Sequence, residues 1–66
     1  MEEVDVWRTA HALMTQHGAD AALVAAKRAD ELFAKNDFMG AAVFHRIVLA
    51  IQDLERLKPR EGEVVN

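Results

Sequence analysis

The chain predicts an all-α fold: a small three-helix unit made of a short helix, an alanine-rich middle helix and a long third helix. Three observations predict it. Apolar residues recur at spacings of three and four through each of three segments, and no segment alternates with period two. Gly18 and the pair Asn36-Asp37 interrupt the pattern, so the connections are short and neighbouring helices antiparallel. The middle segment also carries a stripe of small side chains, Ala22, Ala25, Ala26 and Ala29, leading to Leu32 and Phe33. Such a face lets flanking helices come close.

The first helix is expected to start near Asp5, whose side chain can accept from free backbone amides. Glu2 and Glu3 complement the positive end of the helix dipole. Val6, Trp7, Ala10, Leu13, Met14 and His17 then share one face, with Arg8, Thr9, Ala12, Thr15 and Gln16 opposite. Gly18 closes this helix, because glycine takes the positive-φ conformations that other residues resist.

The second helix is expected from Ala19 or Asp20 to Lys35. An acid in the first turn and a cation in the last suit the macrodipole, and Glu31 and Lys35 are spaced for an i,i+4 pair. Asn36 tolerates left-handed geometry, and Asp37 can cap whatever follows.

The third helix is expected from Phe38 to about Leu57. Gly40, Val43, Phe44, Ile47, Ile51 and Leu54 form its main apolar stripe, with Gly40 suited to a close crossing of the alanine face. Pro59 ends the helical region. Residues 1–58 thus form one helical domain, and residues 59–66, charged and aperiodic, a frayed tail. The expected core is Trp7, Leu13, Met14, Leu32, Phe33, Phe44, Ile47 and Ile51.

Some apolar positions fall outside that core. Val24 projects among Lys27, Arg28 and Glu31. Phe38, Ala42, His45 and Leu49 form a second stripe on the third helix, opposite the first. Two readings stand: scattered exposed apolar residues, which are ordinary, or the seam of a homo-oligomer. The second would relieve a core problem, since a chain of 66 residues buries only about 60% of its unfolded surface.

Composition narrows the function classes. The chain has no cysteine, which removes disulfides and thiolate metal sites. Eight basic residues are interleaved with eleven acids for a net charge of −3, so the clustered cations of a nucleic-acid binder are missing. The third helix opens Phe-Met-Gly-Ala-Ala, which reads no bases. No apolar run approaches the roughly 20 residues needed to span a bilayer, and the acidic N-terminal segment is unlike a secretion signal. A cytoplasmic protein is the expectation.

No constellation carries chemistry. His11 and His17 are six residues apart, unlike an i,i+4 metal pair, and His45 lies on another helix. Even with Asp20 beside His17 the set falls short of a ligand shell, so no metal and no cofactor is expected. Asp30, Glu31, Asp37, Asp53 and Glu55 fall on polar faces or in a turn. Serine and cysteine are absent, and Thr9 and Thr15 have no base at a useful spacing. The expectation is a protein without catalytic activity.

What remains is a small protein–protein interaction, regulatory or scaffolding module acting as a helical homo-oligomer, with itself or another protein as partner. Its candidate surface is Phe38, Ala42, His45, Leu49 and Val24. The alternative is a nucleic-acid-associated regulator using Arg8, Lys27, Arg28 and Lys35.

Four stretches carry a family resemblance: Asp5-Val-Trp-Arg-Thr-Ala, Gln16-His-Gly-Ala-Asp-Ala-Ala, Arg28-Ala-Asp-Glu-Leu, and Arg46-Ile with Ala50-Ile. On these the chain resembles a group of small bacterial helical proteins of unknown function, mainly alphaproteobacterial. The resemblance extends nearly to Pro59. It implies a bacterial cytoplasmic source and transfers no catalytic residue. One departure is Phe44, where the group's pattern places tryptophan before His45-Arg46.

Overall fold

A computed structural model describes residues 2–57; the frayed tail expected at 59–66 lies outside the described residues. The protein is all-α. Helix α1 spans Glu3–His17, α2 Ala21–Ala34 and α3 Phe38–Arg56, with a 3₁₀ turn at Gly18–Asp20 between the first two. Helices α2 and α3 form the most extensive pairing, an antiparallel hairpin, and α1 packs on both. Among the described residues no helix is long and apolar enough to cross a membrane.

Helix α1 starts two residues earlier than expected. Its N-cap is Glu2, which makes no side-chain cap bond, and the Asp5 and Val6 amides donate to the Glu2 carbonyl. Asp5 therefore sits inside the first turn, where with Glu3 it complements the dipole. Thr9 and Thr15 are held in the helix by hydroxyls that donate to the carbonyls of Asp5 at 2.8 Å and His11 at 3.0 Å. Gly18 then turns the chain with φ 56° and ψ −126°, its amide donating to the Met14 carbonyl. That combination is the first central position of a type II′ turn, which glycine alone occupies without strain.

The second turn does two jobs in three residues. Asn36 stands at φ 64°, in the left-handed region. The Asn36 amide donates to the Phe33 carbonyl and the Asp37 amide to that of Leu32, a Schellman closure of α2. The Asp37 carboxylate then accepts the Gly40 amide at 2.9 Å and opens α3. Glu31 lies 3.9 Å from Arg28 and, among the described residues, makes no side-chain ion pair with Lys35, which is the C-cap and donates its backbone amide to the Glu31 carbonyl at 3.2 Å.

The core differs from the expected one. Val6, Ala10, Ala21, Ala25, Ala50, Ile47 and Ile51 form the buried cluster, and the two isoleucines are its largest fully buried side chains. Leu13, Met14, Phe44 and Val43 pack against it half-buried. Trp7 and Phe33, both expected inside, are exposed. The cause is the close approach that alanine allows. The line of contact on α1 runs through Val6 and Ala10, and on α2 through Ala21 and Ala25. Trp7, one position from Val6, is left at the edge of that contact, and Phe33 lies past Ala25 in the last turn of α2.

Gly40 also serves a different purpose from a helix crossing. A Cβ there would meet the Asp37 carboxylate at 2.5 Å, with no atom of α2 closer. A side chain there would push that carboxylate from its present position.

Candidate functional site

The feature that stands out is the outward face of α3. Phe38, Ala42, His45 and Leu49 are spaced four, three and four residues apart, so they form one line along the helix, the spacing of a helix–helix seam. All four are exposed. Two grooves flank the line. The larger, about 340 Å³, lies between α2 and α3 and is lined by Ala29, Asp30, Phe33, Phe38, Ala42 and His45. The smaller, about 180 Å³, lies between α1 and α3 and is lined by residues that include Trp7, Arg46, Leu49 and Asp53.

Four of the exposed large apolar side chains lie along this face, while Val4, Leu23, Met39 and Leu57, also exposed, line neither groove. Phe33 is 62% exposed, Phe38 54%, Leu49 49% and Trp7 38%. Phe33 and Phe38 make an edge-to-face pair with ring centroids 5.0 Å apart. This pair straddles the Asn36 turn, so the geometry that closes α2 and opens α3 also fixes the end of the face. An edge-to-face pair contributes about 0.5–1.5 kcal/mol beyond its area. The rings are therefore held in place while most of their surface stays in water.

Polar groups rim the face. Asp30 lies at the edge of the larger groove and Arg46 and Asp53 at the edge of the smaller. Asp53 is paired with Arg56 on its own helix. Among the described residues, neither Asp30 nor Arg46 makes an ion pair. Such an arrangement can bury apolar surface against a second helix and orient it with a few charges. Both grooves are open at the surface.

The sequence-derived surface maps unevenly onto this face. Phe38, Ala42, His45 and Leu49 come together as one line. Val24 does not join them: it is half-buried on α2 and lines neither groove. Trp7 and Phe33, assigned to the core from periodicity, turn out to be the flanking aromatics. The signals in the sequence were Val6 beside Trp7, able to make the contact instead, and the place of Phe33 in the last turn before Asn36-Asp37.

Other candidate groups are dispersed. His11, His17 and His45 are exposed, and among the described residues no three His, Asp or Glu side chains are grouped to hold a metal. Arg8 lies on α1, Lys27 and Arg28 on α2, and Lys35 at its C-cap, all exposed, with Arg28 turned towards Glu31. Comparison with family models, with curated proteins and with solved structures found no match.

Proposed function

We propose that the protein is a small interaction module that acts as a helical homo-oligomer through the outward face of α3, in a regulatory or scaffolding role. One observation carries this reading: the exposed line of Phe38, Ala42, His45 and Leu49 on the longest helix, bordered on both sides by exposed aromatic rings from the other two. Apolar patches of about 300–600 Å² are the largest that ordinary monomers expose, and they commonly mark contact sites. Trp7, Phe33, Phe38 and Leu49 together present about 400 Å² of such surface, at about 200 Å² for a whole aromatic side chain.

The core supports the same reading. Its fully buried members are mostly alanines, each contributing little area at about 25 cal/mol per Å². A second subunit on the α3 face would add the burial that the core omits. Two apposed faces would bury about 800 Å² of that apolar surface in total, below the roughly 1,200–2,000 Å² of stable specific interfaces, so the association is expected to be weak.

Sedimentation velocity over a concentration series tests the proposal, with Leu49→Glu as the comparison. Leu49 is half-exposed and glutamate favours helix, so the variant keeps the fold. The wild type should sediment increasingly as a dimer towards high micromolar concentration and Leu49→Glu as a monomer throughout. A wild-type monomer across the whole series refutes self-association.

A further inference from the structure

We draw no further inference here: the strongest candidate, the groove between α2 and α3 lined by Phe33, Phe38, Ala42 and His45 with Asp30 at its edge, belongs to the exposed face already described, and nothing in the structure shows what covers it.

Discussion

The carboxylate of Asp37 accepts the Gly40 amide at 2.9 Å and stands 2.5 Å from where a Cβ on Gly40 would lie. Cap and glycine are therefore coupled: the hydrogen bond that opens α3 exists in this form because residue 40 has no side chain. The Asp37 amide meanwhile closes α2. One residue thus ends one helix, starts the next, and sets Phe33 beside Phe38.

This coupling predicts strongly non-additive substitutions. Asp37→Ala should cost about 1 kcal/mol, the usual loss of an N-cap. Gly40→Ala gains about 1 kcal/mol of helix propensity but displaces the cap, so its net effect should fall within about 0.5 kcal/mol of zero. Added to Asp37→Ala, the same substitution should recover most of the propensity gain. Urea unfolding of all four proteins reads the cycle, and simple additivity would show that Asp37 finds another way to cap.

Gly18 differs, because space is not its constraint. An added Cβ meets nothing within 4 Å, yet the backbone holds φ 56° and ψ −126°. Gly18→Ala should cost about 1–3 kcal/mol through backbone strain alone. Asn36→Gly, at an ordinary left-handed position, should change stability by only a few tenths of a kcal/mol. Thermal melts of the two variants should therefore separate clearly.

Core and face make opposite predictions. Ile51 is fully buried, and Ile51→Ala should cost about 2–5 kcal/mol. Against about 3–10 kcal/mol for a chain of this size, that removes much of the native population at 37 °C. Phe33→Ala should leave the monomer within about 1 kcal/mol of wild type, since its ring loses little more than one aromatic contact. Its effect should appear in association, as a dimer weakened by ten-fold or more.

Ala25 tests the close packing itself. It is fully buried in the cluster with the two isoleucines. Ala25→Leu should be destabilising by about 1–3 kcal/mol or more, although leucine is nearly as good a helix former. Circular dichroism with urea titration measures it, and a stabilised variant would indicate unfilled space between α2 and α3.

The helices and turns were legible in the sequence because their causes are local. The glycine at 18, the left-handed Asn36 and the capping Asp37 act over four or five residues, and each stands where those signals put it. The expectations about Trp7 and Phe33 failed because a periodic pattern names an apolar face without saying which residue on it has room. Val6, next to Trp7, takes the contact on α1, while Phe33 lies in the last turn of α2, about two turns past Ala25 and outside the buried cluster. The line from Phe38 to Leu49 was likewise legible from spacing within α3. Its borders, Asp30 and Phe33 from α2 and Trp7 from α1, depend on how three helices meet. The Glu31–Lys35 pair failed for a local reason: Lys35 falls at the turn that ends α2, one residue past Ala34.

The central claim is that burial missing from an alanine-rich core is supplied by a second copy at the α3 face. Its most direct test is thermal unfolding of the wild type over a hundred-fold range of protein concentration, beside Leu49→Glu. Coupling of folding to association predicts a melting temperature that rises with concentration for the wild type and stays constant for the variant. A wild-type melting temperature independent of concentration, equal to that of Leu49→Glu throughout, would contradict it.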